Sequence, residues 1–330
     1  MDVAAEILNN VAEAVTPEEV DMLAEAPDGK RAYVGYEPSG VLHAGHMLTA
    51  TKLIELQSVG FEVIVLLADV HAYLNGKGTM EEIQTTAQQM QSQFLAYGLD
   101  SSATEFVLGS SFQLEKEYTM DLHRLAVETS LPRAQRSMAE IAGGSSPTVS
   151  QAIYPLMQAL DIVYLDIDLA IGGTEQRKVH MLARDMLPRL GYDAPTCLHT
   201  PLISDLTTGV GKMSSSVGVT LSMDDSTASI EEKVTAAYCP PTADPPPTDA
   251  GDARGHPILE LFEYHVFPRV ETVQIDRPEE YGGPLTFETY GELESAIDDG
   301  SLHPADAKTA LASYMDALIA PGRATLSGAE

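Results

Sequence analysis

Hydrophobic spacing along the chain switches repeatedly between helical and extended periods. Thr16-Pro17-Glu18-Glu19 places threonine at an N-cap, proline at the first helical position and glutamate at the third, which starts a helix. Thr79-Met80-Glu81-Glu82 repeats the pattern without the proline. Between them, residues 31–36 (RAYVGY) read as a short strand running into Pro38-Ser39-Gly40, and 43–58 as a helix stopped by Gly60. Residues 61–68 (FEVIVLLA) are almost continuously apolar, as a strand buried on both faces would be. A helix over 80–97 and a strand near 105–108 follow. The spacing predicts further helices over 118–142 (bent or broken near Pro132), 150–160 and 175–190, with strand character at 165–171. Strands alternating with helices predict a doubly wound, Rossmann-like α/β domain with a mainly parallel sheet.

After about Met223 the pattern changes. Residues 240–257 hold six prolines among Gly and Asp and read as a surface loop. Amphipathic helices are expected around 258–267, 289–299 and 303–319. The expected division is an α/β domain over 1–225 and a helical domain over 226–330.

Composition narrows the partners. The 330 residues carry 49 acidic against 19 basic side chains, a net charge of −30. A generally basic nucleic-acid coat or an anionic-membrane binder is excluded, although a local basic site is not. Strong net charge often means disorder, but 44% of the residues are hydrophobic and the acids are scattered. An acidic surface on a folded core points to adaptation to high salt, where the screening length falls to about 3 Å at 1 M. No apolar run approaches the roughly 18–20 residues of a membrane span, and MDVAAEILNN lacks a signal-peptide pattern. Cys197 and Cys239 form no CxxC pair, so neither a disulfide framework nor a cysteine metal site is indicated. A soluble, cytoplasmic chain is expected.

Two motifs carry chemistry. In residues 33–46 (YVGYEPSGVLHAGH) a strand and turn lead into a helix whose start carries His43 and His46. Free N–H groups there suit phosphate, Gly45 permits close backbone approach, and imidazoles can donate to phosphate oxygens. Exposed histidines on an ordinary strand–turn–helix remain the plain alternative; zincin spacing is absent. Gly211-Lys212-Met213-Ser214-Ser215-Ser216, bracketed by Gly209 and Gly218, can close over a polyphosphate or be a serine-rich linker. It is not a Walker A loop.

Together, HxGH and a downstream KMSSS on an α/β pattern resemble the class I aminoacyl-tRNA synthetases. Tyr33, residues 154–161 (YPLMQALD) and residues 172–178 (GGTEQRK) are similar to the tyrosine pocket of the archaeal/eukaryotic-type tyrosyl-tRNA synthetases. The stretches LLADVHAYLNGKG (66–78) and SSFQLEKEY (110–118) resemble that family too. The likeness runs from about residue 30 to 320.

The resemblance implies a tyrosine–tRNA ligase that forms tyrosyl-adenylate from ATP and L-tyrosine and passes it to tRNA(Tyr). His43, His46, Lys212, Ser214 and Ser215 would serve phosphate and pyrophosphate, with Gly35, Gly45 and Ser215 at ATP. Tyr33 and Asp161 would bind the phenol, and Tyr154, Gln158 and Gln176 the ammonium. Read without the family, Tyr154, Gln158 and Asp161 form a polar helical stripe, which is usually solvated. A site that hydrogen-bonds the phenol rejects phenylalanine by leaving buried polar groups unpaired, a discrimination known for this enzyme class. Mg²⁺ would travel with ATP, with no protein-held metal.

Residues 121–190 hold seven basic and eight acidic side chains, a nearly neutral island in an acidic chain. The family implies that Arg136 and Arg177 lie near the first acceptor-stem base pair. It also implies that Tyr281, His303 and Asp306 read the first anticodon base, with Cys239 near the second, and that the chain is a homodimer. With the acidity, a halophilic archaeal source is expected. Three rivals remain: a tryptophanyl-tRNA synthetase, a small nucleotidylyltransferase with a related HxGH site, and a non-catalytic synthetase-like RNA-binding protein. Indole offers a donor and no acceptor, which fits a Tyr33–Asp161 pair poorly.

Overall fold

Both capping boxes close. Thr16 caps Pro17–Glu25 and Thr79 caps Met80–Tyr97, each accepting from the third-position N–H while that glutamate returns a bond to the cap. The computed structural model describes residues 2–138, 148–214, 218–243 and 253–328. The chain packs as two units, Met1–Gly40 with Thr49–Pro201, and Val41–Leu48 with Leu202–Glu330. Residues 202–225, expected with the α/β domain, fall in the second of these.

The first unit is built on a six-stranded sheet: β1 (Glu13–Val15), β2 (Arg31–Tyr36), β3 (Glu62–Leu67), β4 (Thr104–Leu108), β5 (Leu169–Gly173) and β6 (Thr196–Thr200). Their order is β1-β6-β5-β2-β3-β4, all parallel except β1, which runs antiparallel to β6. The chain builds β2, β3 and β4 outward in one direction and then returns to β5 on the other side of β2. Ligands of open α/β sheets bind at the carboxyl ends of strands where the order reverses in this way. Here the β2/β3 ladder runs from Arg31↔Glu62 to Tyr36↔Leu67, whereas β2 and β5 pair only at Ala32↔Leu169 and Tyr33↔Ala170. Beyond Tyr33 the two strands part.

Several expectations are corrected. Strand β5 starts at Leu169, not 165: Leu165 and Ile167 still bond back to Asp161 and Ile162, and Asp168 accepts from the Arg31 N–H. The stretch expected as one bent helix over 118–142 is two helices, Lys116–Glu128 and Leu131–Met138. Extended backbone at Thr129 separates them, and Pro132 sits in the second helix's first turn, where its missing N–H costs nothing. Residues 139–142 lie outside the described residues. Val149–Tyr164 extends beyond the expected 150–160 and contains Pro155.

In the second unit, Pro257–Leu261 continues as a π-helical turn over Phe262–Val266. The last helix, Pro304–Ser327, passes the expected end at 319. A small antiparallel pair, β7 (Val273–Ile275) with β8 (Leu285–Phe287), is added to the expected helices. Among the described residues no helix is long and apolar enough to cross a membrane.

Candidate active site

Where β2 and β5 part, the first unit has a recess open to solvent. Tyr33, Gly35 and Glu37 line it from β2 and its end, Leu66 and Ala68 from β3 and its end, His71 from the short helix Asp69–Leu74, and Tyr154, Gln158 and Asp161 from one helix. Gln176, just past β5, completes the lining. The 154/158/161 stripe is therefore no solvated face. Asp161 is fully buried and Tyr154 nearly so, because Val149–Tyr164 turns this face inward.

Asp161 is the most constrained group. Its Oδ1 lies 2.8 Å from Gln113 Nε2 and 2.8 Å from Tyr118 Oη. The Tyr118 hydroxyl also lies 2.9 Å from Met157 O; with one proton to give, it favours the carboxylate. Gln113 Nε2 reaches His71 Nδ1 at 3.3 Å as well, so the amide's orientation is fixed by two acceptors on its nitrogen side. That bond leaves the proton of a neutral His71 on Nε2, 3.6 Å from Asp161 Oδ2. Asp161 Oδ2, His71 Nε2 and Gln113 Oε1 are buried without a hydrogen-bond partner. Asp161 and His71 line the recess, so their two unsatisfied atoms are costly unless a ligand meets them.

Burial pushes the Asp161 carboxyl up to about 7, against the bonds from Gln113 and Tyr118. Burial, followed by the Asp161 charge, raises the Tyr33 phenol well above its usual range. Burial lowers His71 to about 4, so it is neutral. At the other groups of the lining, Tyr154 Oη donates to Glu37 Oε1 at 2.8 Å and Gln158 Nε2 to Gln176 Oε1 at 3.0 Å. A Cβ on Gly172 would stand 2.7 Å from Gln176 Cγ, so only glycine leaves Gln176 its place.

The second unit brings the two motifs together. His43 bridges Ser222 and Lys212 bridges Ser204 in short antiparallel contacts, and the Ala44 N–H donates to Leu221 O at 2.8 Å. The His43 and His46 rings stack with centroids 3.8 Å apart. His43 Nδ1 accepts from the Gly45 N–H at 3.2 Å, and His46 Nδ1 from the His43 N–H at 3.4 Å. Each ring's proton is thereby assigned to Nε2, so both can donate. Burial and then Lys212 hold His43 near 4; burial, His43 and Lys212 hold His46 well below its usual value. The pair therefore offers neutral donors beside a lysine. A Cβ on Gly45 would lie 3.0 Å from His43 Cε1, so glycine gives the imidazole its room, and Met213 O of the loop is 3.9 Å from the same point. Ser215 lies outside the described residues.

Of the other predicted residues, Arg136 is exposed on Leu131–Met138, and Arg177 starts Arg177–Leu190 paired with Glu13 at 2.7 Å. In the second unit Tyr281 is 67% exposed. His303 caps Pro304–Ser327, accepting from the Ala305 N–H, and Asp306 lies in that helix's first turn. Cys239 is half-buried. Sequence reasoning assigned no role to Glu37, His71, Gln113 or Tyr118. The last three lie in the two stretches noted only for likeness; His71 and Gln113 carry the signal of a polar residue between apolar neighbours, and Tyr118 carries none.

Residues 28–320 match the family described as tRNA synthetases class I (W and Y). The chain is 65% identical over 327 residues to the tyrosine–tRNA ligase of Halorubrum lacusprofundi, covering 99% of this chain and 100% of that one. It is 64% identical over 326 residues to that of Halobacterium salinarum, covering 99% and 98%. The solved tyrosyl-tRNA synthetase of Archaeoglobus fulgidus, complexed with L-tyrosine, matches with a TM-score of 0.89 and 48% identity over 98% of each chain. The fold and these matches define a class I aminoacyl-tRNA synthetase. The chain belongs to that family, in its archaeal-type tyrosyl-tRNA synthetase branch.

Proposed function

We infer that this chain is a tyrosine–tRNA ligase whose amino-acid site is the recess around Asp161. The observation that carries this is Asp161 itself: one oxygen saturated by two donors, the other buried beside the recess and unpartnered. A phenol O–H supplies the missing donor, and Tyr33 can give its own proton to the phenol oxygen. Indole would leave that Tyr33 proton without an acceptor, and phenylalanine would leave both groups unpaired. Gln158, Gln176 and Tyr154 lie in the same lining and suit the substrate's ammonium.

In the first step the tyrosine carboxylate attacks the ATP α-phosphate in line, forming the mixed anhydride and releasing pyrophosphate. A ribose hydroxyl of the tRNA's terminal adenosine then attacks the activated carbonyl and AMP leaves. Neither step needs a covalent protein intermediate; positioning and charge stabilisation suffice. On this reading His43 and His46 donate from Nε2 to phosphate oxygens, Lys212 and the Ser214–Ser215 hydroxyls receive the pyrophosphate, and Gly35 and Gly45 give ATP room. Mg²⁺ enters with ATP as part of the substrate.

For tRNA(Tyr), Arg136 and Arg177 serve the acceptor end, and the exposed Tyr281 ring with His303 and Asp306 suits an unpaired anticodon base. We further propose a homodimer working in the cytoplasm, where its tRNA is. Met120, Val127 and Leu131 are 49%, 85% and 60% exposed on consecutive helices, an apolar surface suited to a second copy. Light scattering in molar KCl tests this; a monomer at micromolar concentration would refute it.

The decisive assay is ATP–pyrophosphate exchange with tyrosine, tryptophan or phenylalanine, in molar KCl and in low salt. Exchange with tyrosine alone is expected. Exchange with tryptophan would overturn the pocket reading. No exchange from folded protein would favour a non-catalytic RNA-binding role.

A further inference from the structure

Four side chains of the first unit form one continuous hydrogen-bonded line. Arg177 Nε lies 3.0 and 2.7 Å from the two carboxylate oxygens of Glu13. Glu13 Oε2 lies 3.0 Å from His199 Nδ1, and His199 Nε2 lies 3.0 Å from His180 Nδ1. The sheet places these groups. Glu13 on β1 is the register partner of His199 on β6, and His199 is in turn the partner of Gly172 on β5. The row Glu13–His199–Gly172 thus crosses the sheet on one face. Gly172 has no side chain, and helix Arg177–Leu190 fills the space: a Cβ there would lie 3.4 Å from His180 Cε1 and 2.7 Å from Gln176 Cγ.

The line has one consistent proton arrangement. Glu13 is an acceptor, its carboxyl held below the usual range chiefly by Arg177. His199 therefore donates from Nδ1, which leaves its Nε2 to accept from His180 Nδ1–H. Burial keeps both rings neutral, lowering His199 and taking His180 down to about 3. Both histidines are almost wholly buried, so the polar end of the line is fixed in the core, while Glu13 and Arg177 reach the surface.

The geometry points to Glu13 as a positioning residue for Arg177 in the tRNA-dependent step, with the His199–His180 pair anchoring its carboxylate. This rests on the reading that Arg177 meets the acceptor end of tRNA. Gln176 and Arg177 are neighbours at one 3₁₀-to-α junction, so one residue faces the amino-acid recess and the next faces outward. A long guanidinium at such a place samples many rotamers when untethered. A carboxylate that shares the Nε–H between its two oxygens reduces that freedom before tRNA arrives, and the buried histidine keeps the carboxylate itself from swinging away.

The test compares wild type, Glu13→Gln, Arg177→Ala and the double variant in molar KCl. Two readouts are taken: kcat/KM for tRNA in aminoacylation, and the rate of tyrosine-dependent ATP–pyrophosphate exchange. Glu13→Gln keeps the shape and removes the charge. It is expected to lower kcat/KM for tRNA about three- to fivefold, the scale of a partly exposed charged pair, and to leave exchange within about twofold. Added to Arg177→Ala, it is expected to cost less than about twofold more, because the partner it positions is gone. If Arg177→Ala slows charging but Glu13→Gln charges like wild type, the positioning role is wrong and the reading of Arg177 stands. If Glu13→Gln lowers exchange and charging equally, Glu13 is only a structural support and the proposal fails. If Arg177→Ala itself charges like wild type, the reading of Arg177 fails and takes the proposal with it.

Discussion

Tyr118 Oη stands 2.8 Å from Asp161 Oδ1, the same oxygen that Gln113 Nε2 reaches at 2.8 Å. Two donors on one oxygen pin the carboxylate in a single rotamer and leave the other oxygen, on the proposed reading, for the substrate. Tyr118→Phe removes one pin without changing the ring. It is expected to raise KM for tyrosine about tenfold, on the scale of one hydrogen bond to a charged group. Asp161→Ala is expected to abolish most of the discrimination between tyrosine and phenylalanine as well as rate. Exchange kinetics with both amino acids check each variant; an Asp161→Ala enzyme that still discriminates fully would refute the assignment.

Asp161 also sets a pH dependence. In the folded chain its carboxyl titrates near 7, raised by burial from about 3.8. Between those values the folded state holds a proton the unfolded chain has released. Stability from this group is thus complete below about pH 4 and lost as pH rises through about 7. Asp161→Asn keeps an acceptor for Gln113 and Tyr118 and cannot ionise. It is expected to be more stable than wild type at pH 8, by roughly 2–4 kcal/mol, with the gap closing toward pH 5, and to exchange tyrosine poorly. Urea unfolding at both pH values checks the sign.

Gly172→Ala tests the packing of the recess wall. The new methyl would meet Gln176 Cγ at 2.7 Å and Cβ at 2.8 Å, so the glutamine must move away from Gln158. KM for tyrosine is expected to rise tenfold or more, with the midpoint of thermal unfolding much less affected. A normal KM would show that Gln176 does not contact the substrate.

In the second unit, the buried Glu260 carboxylate accepts from Ser204 N and Oγ, both at 2.6 Å, and from Gly255 N at 3.1 Å. Ser204 is the residue that bridges Lys212. Glu260→Ala would strand these donors in the core, at a cost of about 3 kcal/mol or more, and loosen the stem of the lysine loop. Denaturant unfolding at fixed salt should show the loss, and ATP–pyrophosphate exchange should fall with it.

A net charge of −30 on this fold predicts loss of structure when screening is withdrawn. Circular dichroism across a KCl series is expected to show unfolding toward low salt. A chain fully folded in salt-free buffer would remove the high-salt reading of its acidity.

Local signals made much of this fold legible. Thr16 and Thr79 marked helix starts, and the apolar run at 61–68 marked a central strand. Strands β1 and β6 passed unread because three to five residues in a non-alternating run carry no period, and β7 and β8 for the same reason. Asp161 was legible only through resemblance: helical spacing alone made 154, 158 and 161 a solvated stripe. What buries them is the tertiary packing of Val149–Tyr164, which puts this face against β2, β3 and the segments carrying His71, Gln113 and Tyr118, and spacing does not encode that. Gln113 and Tyr118 act on Asp161 from 48 and 43 positions away. The Glu13–His199 contact spans 186.

The early parting of β2 and β5 gives the recess a direction. A cavity opened by two diverging strands is closed at the end where they still pair and open where they separate. Asp161 is wholly buried, whereas Gln158 and Gln176 remain half-buried. On the proposed reading, tyrosine therefore enters ring first and keeps its α-carbon outermost. Chemistry at the carboxylate would then never pass through the wall assigned to the ring. On that reading an analogue enlarged at the phenol meets the paired end of the sheet.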